Sequence, residues 1–244
     1  MAPTYVLFGA NSAIANAYLN TIVEHEPNAN IICVSRQPIN LSDNRIKVKS
    51  FICDYSTASL NDLTHYLKGH NVKPHQVVIF NGQLHNEEFM PEKKLEDINA
   101  NYFNSILNTN TLTPILCLQA IIPLLDHHTP CTITSLSARV GSISDNKLGG
   151  WYSYRASKSA LNMLFQTAAI ELARRAKQTR LVLFHPGTTD TALSKPFQKN
   201  VPQGKLFTAQ YVARSLYTLL NHPQRLGDAG NCAYIDYQGN TIAW

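Results

Sequence analysis

Short apolar runs bounded by turn residues alternate with longer helix-period segments along the whole chain, and that alternation restricts the fold more than any other feature. The β-like runs are TYVLFG (4–9), NIICVS (30–35), VKSFIC (48–53), HQVVIF (75–80), CTITSLS (131–137), RLVLFH (180–185) and CAYID (232–236). Between them lie helical patterns near 12–25, 58–68, 94–126, 152–177 and 208–221. Runs such as VVIF and LVLF are apolar without alternation, as expected when helices cover both faces of a sheet. The pattern therefore predicts an α/β fold: a single doubly wound parallel sheet with helices on both faces. No Pro/Gly/Ser-rich linker, charge run or repeat divides the 244 residues, so the chain reads as one domain over 1–244.

Charge and composition narrow the partners. Lys plus Arg number 21 and Asp plus Glu 16, a net charge of +5 with no basic tract. The densest basic group, Arg174, Arg175 and Lys177, reads as a solvated helix end, so nucleic-acid binding is not expected. No apolar stretch approaches the roughly twenty residues that span a bilayer. The start, MAPTYVLFGAN, lacks the basic segment and cleavage site of a secretory leader. The five cysteines (Cys33, Cys53, Cys117, Cys131, Cys232) contain no C-x-x-C and mostly sit in apolar runs. They read as buried free thiols of a reducing compartment, and the cytoplasm is the expected location. The nine histidines, His85 and the His127-His128 pair among them, show no metal-ligand spacing, and no G-x-S-x-G elbow is present.

Ligands of such sheets bind at the carboxyl ends of the strands. Those ends here carry Gly9–Ala15, Ser35–Arg36, Asp54, Asn81–Gly82, Ser137–Gly141 and His185–Thr191. The following run GGWYSYRASKSALNML (149–164) places Tyr154 and Lys158 four apart, one turn apart on a helix face. A nearby ammonium favours an ionised phenol, which makes Tyr154 a candidate general acid/base. The segment from Pro186 to Thr208 has no clear period and reads as a lid or binding loop, with Leu193 and Phe197 offering apolar contacts. Pro91 to Asp97 reads as a solvated, charged helix entry.

The runs VGSISDNKLGGWYSYRASKSALNM, HPGTTDTALSKPF and DYQGNTIAW resemble the short-chain dehydrogenase/reductase family, within it the C-factor-like branch. The resemblance extends over essentially the whole chain. It implies a Rossmann fold, a nicotinamide dinucleotide, and hydride transfer between a small-molecule alcohol and carbonyl. It also implies a homodimer or homotetramer paired through the helix that carries Tyr154. By the same resemblance Tyr154 is the acid/base, and Lys158 lowers its pKa and grips the nicotinamide ribose. Asn110, in LNTNTLTP, holds a water of the proton relay. The expected cofactor contacts are Gly9, Asn11, Ser12, Ala13 and Ile14, then Asn81 and Gly82, and finally Pro186, Gly187, Thr189 and Thr191.

Three positions depart from that pattern. The glycine-rich turn reads GANSAIA, with Ala13 and Ala15 where the family has glycines; Ala13 bears on the approach of backbone to pyrophosphate. The catalytic serine position, three before Gly141, is Ala138. Its neighbour Ser137 is the favoured substitute if the strand end twists or bulges, with Ser142 and Ser144 as alternatives. The usual Asn-Ala-Gly after the fourth strand reads Phe80-Asn81-Gly82. The end of the second strand, CVSRQP, lacks the carboxylate that holds a ribose diol, while Ser35 and Arg36 suit a 2′-phosphate, so NADP(H) is favoured over NAD(H). Asp54 is read either as the acid near the adenine or as part of a helix N-cap.

Overall fold

In a computed structural model describing residues 2–39, 47–228 and 230–244, each expected β-run contributes a strand to one sheet. β1 (Thr4–Phe8) leads through Gly9 into α1 (Ala13–His25), followed by β2 (Asn30–Ser35), β3 (Lys47–Ile52), α2 (Thr57–Gly69) and β4 (Gln76–Ile79). Then come α3 (Ala100–Leu107), α4 (Thr113–Ile121), β5 (Cys131–Leu136), α5 (Tyr152–Arg175) and β6 (Thr179–His185). The chain closes with β7 (Thr188–Thr189), β8 (Leu206–Phe207), α6 (Ala209–Leu220) and β9 (Ala233–Asp236). The sheet runs β3-β2-β1-β4-β5-β6-β9, with every pair parallel. Strand order reverses between β1 and β4, which opens a crevice at their carboxyl ends.

Strand alternation divides the core. Val6, Phe8, Val34, Val77, Ile79 and Ile133 pack on one face against α2, α4 and α5, which supply Leu63, Ile121, Leu161 and Phe165. Tyr5, Leu7, Cys33, Val78 and Phe184 pack on the other against α1 and α6, which supply Tyr18, Ile22, Val212 and Leu216. Each such side chain contributes about 1.5–3 kcal/mol by its burial. The helix starts are capped by the polar residues that precede them: Ser12, Ser56, Asn99 and Thr208 each accept a backbone N–H of the first turn. All five cysteines are buried free thiols.

Three sequence expectations change. The long helix over 94–126 is broken, because Leu95–Asp97 forms a separate 3-10 turn and Asn108–Leu112 is π-helical between α3 and α4. The run Ala100–Leu124 is long and apolar enough to cross a membrane by length and composition, where the sequence offered no such stretch. Here it packs against α2 and α5, and 44% of its apolar window is buried. Inside 186–208, β7 and β8 pair as a small parallel ladder that the missing periodicity concealed.

Candidate active site

The turn after β1 depends on Gly9. Its φ of +69° is left-handed, and a Cβ there would lie 3.0 Å from Asn81 N and 3.1 Å from Asn81 Oδ1. Ala13 is exposed at the first position of α1, whereas Ala15 is fully buried against the sheet. The Ala13 methyl therefore stands at the surface of the helix start. Asn11 Nδ2 and Ser35 Oγ both donate to Gln37 O, at 2.9 and 2.6 Å, and Arg36 is exposed beside them. Asp54 is exposed and accepts the Ser56 N–H at 2.9 Å; the Ser56 side-chain and backbone bonds hold its carboxyl below the usual range. Tyr55, which the sequence did not single out, has a left-handed φ of 67°. Its hydroxyl accepts the Gly9 N–H at 2.9 Å and donates to Val34 O at 3.1 Å, tying the turn to the end of β2.

At the crevice, Asn81 Oδ1 is buried without a hydrogen bond. A Cβ at Gly82 would lie 3.6 Å from both Asn110 Oδ1 and Lys158 Nζ, so the two groups converge on that glycine. Asn110 is fully buried in the π-helical turn. Its Oδ1 accepts the Gln83 N–H at 2.7 Å, and its Nδ2 donates to Gln83 O at 2.8 Å and Ser157 Oγ at 3.1 Å. Thr111 Oγ1 donates to Ser157 O at 2.7 Å. The π-turn thus braces the loop after β4 against α5, in keeping with the use of such turns at functional sites.

Lys158 donates to Leu136 O at 2.9 Å, and its Nζ lies 5.8 Å from the centroid of the Tyr154 ring. Burial pulls its ammonium from an ordinary 10.5 down to about 7. Tyr154 packs with Leu84, Tyr102, Ile106 and Ala138. Burial, reinforced by Tyr102 and Tyr234, raises its phenol well above the ordinary range. Loss of water on burial is the leading cause of that rise, opposite in direction to the lowering expected from a Lys158 ammonium.

Ser137 lies away from the phenol. Its N–H donates to Phe184 O at 2.8 Å, continuing the ladder between β5 and β6, so the strand end does not bulge. Its hydroxyl donates to Asn162 Oδ1 at 2.7 Å, while the methyl of Ala138 packs with Tyr154. Alternation sends the two side chains to opposite faces. Ser142 Oγ accepts the Asp145 N–H and lies 3.4 Å from Ser144 Oγ, which itself donates to Trp244 O. The structure brings none of these hydroxyls to the phenol.

The segment after β6 closes the centre. Leu193 and Phe197 pack against the Tyr154 cluster, with Phe197 5.1 Å from the Trp151 ring and 5.9 Å from His85. Gly187 is left-handed at φ +71°, and a Cβ there would come within 2.7 Å of the Phe207 ring. Thr189 Oγ1 donates to Pro186 O at 3.5 Å and Thr191 Oγ1 to Thr189 O at 3.4 Å. Open grooves lie elsewhere, one of 490 Å³ along α6 and one of 620 Å³ beneath the amino ends of β1 and β2. The supposedly solvated entry Pro91–Asp97 also needs correction: Glu92 is buried and holds Ser153, a role that a run of charged letters conceals.

A parallel sheet of this order, with a glycine turn at its reversal point, defines the class of dinucleotide-binding α/β proteins. Residues 4–202 match the short chain dehydrogenase family, and the chain belongs to that family of oxidoreductases. C-signal of Myxococcus xanthus is 29% identical over 137 residues, covering 55% of this chain and 74% of that one. Across curated relatives the matched share of the relative's length ranges from 38% to 74%. The carbonyl reductase Sniffer of D. melanogaster shares the fold with a TM-score of 0.80 at 19% identity, over 100% of both chains. A Burkholderia multivorans short-chain dehydrogenase/reductase with bound NADP superposes with a TM-score of 0.79 at 20% identity, also over 100% of both chains.

Proposed function

We propose that this protein is an NADP(H)-dependent reductase of a small carbonyl compound, with Tyr154 as proton donor. The observation that carries the reading is the convergence of Asn110 and buried Lys158 on Gly82, with the Tyr154 ring 5.8 Å from Lys158 Nζ. The orphaned Asn81 Oδ1 and the space left by the missing Cβ of Gly82 fit a dinucleotide. Gly9, Asn11, Ser12, Ala13 and Ile14 would hold its pyrophosphate at the start of α1, where the helix dipole favours anions. Ser35 and Arg36 would hold a 2′-phosphate, Asp54 the adenine, Lys158 the nicotinamide ribose, and Pro186, Gly187, Thr189 and Thr191 the nicotinamide end. The dinucleotide supplies a hydride.

Tyr154 gives its proton to the carbonyl oxygen as negative charge develops there. Lys158, together with a water held at Asn110, would return the proton to the phenol. Ala138 offers no hydroxyl to the carbonyl, and the Tyr102 hydroxyl is committed to Leu84 O at 2.6 Å. The substrate wall is apolar and aromatic, formed by Trp151, Leu193 and Phe197.

Ala138, Ala13 and the likeness to C-signal also support a second reading, a dinucleotide-binding signalling or sensor protein with little turnover. The Tyr154→Phe variant separates the two. In a reductase it keeps NADPH binding and loses turnover by about 10²–10⁴-fold. In a sensor, binding and biological activity both persist.

A further inference from the structure

A carboxylate with no part in the steps above is buried against the start of the catalytic helix. Glu92 is 2% exposed, and none of the ion pairs among the described residues includes it. Both of its oxygens accept the Ser153 N–H, at 3.2 Å each, and Oε1 also accepts the Ser153 hydroxyl. Its own backbone carbonyl accepts the Trp151 N–H at 2.6 Å.

Helix α5 needs this help. The first N–H groups of any helix have no partner within it. Here the N-cap residue Trp151 is left-handed, at φ 54°, and supplies no capping side chain. Gly149 and Gly150 are left-handed as well, and a Cβ on Gly150 would lie 3.4 Å from Glu92 O. The chain thus makes a tight approach to the helix, and a residue about sixty positions earlier completes the cap. The positive end of the helix dipole and the donated bonds from Ser153 satisfy the buried carboxyl group.

The residues it holds surround the reacting group. Ser153 precedes Tyr154, and the Trp151 ring meets the Tyr154 ring edge-on at 6.1 Å and Phe197 at 5.1 Å. We infer that Glu92 is a positioning residue: it fixes the first turn of α5, and through it sets the Tyr154 phenol and the Trp151 wall against the substrate carbonyl. The inference rests on the reductase reading for its catalytic consequence. Lys158, one turn further along, is held separately through Leu136 O, so the cofactor grip does not depend on Glu92.

The test compares Glu92→Ala, Glu92→Gln and Ser153→Ala with the unaltered protein. A misplacement near 1 Å costs about 10²-fold, so kcat of Glu92→Ala is expected to fall by roughly 30- to 100-fold. NADPH affinity, read by fluorescence titration, is expected to stay within about twofold. Hydrogen exchange of the amides of 151–154 is expected to quicken, and Glu92→Gln, which keeps volume and an oxygen acceptor, to recover most of kcat. An unchanged kcat in Glu92→Ala overturns the inference, as does an equal loss of kcat and NADPH affinity. Should Glu92→Ala not fold, Ser153→Ala decides: lowered kcat with intact NADPH binding supports the role, and unchanged kcat overturns it. If the unaltered protein reduces no carbonyl, the reductase reading fails by itself, and exchange at 151–154 still decides whether Glu92 holds the helix start.

Discussion

The two halves of the crevice are built on different principles. On the dinucleotide side, around Gly9, Ser12, Gly82 and Asn110, backbone conformation and side chain-to-backbone bonds do the shaping. On the proposed substrate side, around Ala138, Trp151, Tyr154 and Phe197, apolar packing does it, and the Ala138 methyl packs with the Tyr154 ring. The first half is suited to grip a ligand through fixed donors. On the proposed reading, the second half leaves a substrate carbonyl to a single phenol. Lys158 belongs to both halves, bonded to Leu136 O on one side and facing the Tyr154 ring on the other.

That shared position yields the largest expected effect. Lys158→Met should weaken NADPH and lower kcat together, by about 10²-fold or more in kcat/KM. A loss confined to one of the two parameters would break the view that Lys158 joins the halves. Arg36→Ala touches the dinucleotide side only. It should cost NADPH about 1.5–3 kcal/mol, the range of a hydrogen bond to a charged group, and leave NADH nearly unchanged in parallel titrations. Equal losses for both dinucleotides would remove Arg36 from the site.

Ala138→Ser touches the substrate side only. Adding a donor where charge develops should raise kcat by about 10-fold, below the 10²–10³ that mature oxyanion donors supply, because the surrounding packing has formed around a methyl. A rate left unchanged or lowered, with NADPH binding intact, would mean that Tyr154 needs no second donor.

A further prediction concerns the effect of pH on stability. Lys158 has a folded pKa of about 7 against an ordinary 10.5. Between those values the unfolded chain binds a proton that the folded chain does not, so this group makes stability rise with pH. The buried thiols of Cys33, Cys117, Cys131 and Cys232, all raised by burial from an ordinary 9, act in the opposite sense above that pH. Thermal unfolding between about pH 7 and 9 should therefore show a rise that Lys158→Met flattens. Identical slopes for the two proteins would contradict a desolvated ammonium.

The same contrast explains what could be read from the sequence. Glycines and strand periods are local, so the sheet, Gly9 and the Tyr154–Lys158 spacing were legible in it. The substrate side rests on contacts between distant segments. The direction of Ser137 follows from its backbone bond to Phe184, and the burial of Glu92 from a partner on α5. Tyr55 reaches Gly9 across three strand ends from a left-handed position that its side chain does not advertise. The phenol of Tyr154 reads as acidified when only the lysine spacing is considered; its burial by Tyr102, Ala138 and their neighbours reverses the sign.

The most direct measurement follows NADPH and NADH oxidation by the purified protein across a panel of carbonyl compounds graded from aliphatic to aromatic, with alcohol formation quantified in parallel. The expected result is NADPH consumed mole for mole with alcohol formed, fastest for carbonyls carrying an apolar aromatic group, with NADH the poorer donor. Tight NADPH binding with no carbonyl reduced anywhere in the panel would contradict the reductase account and leave the sensor reading in its place.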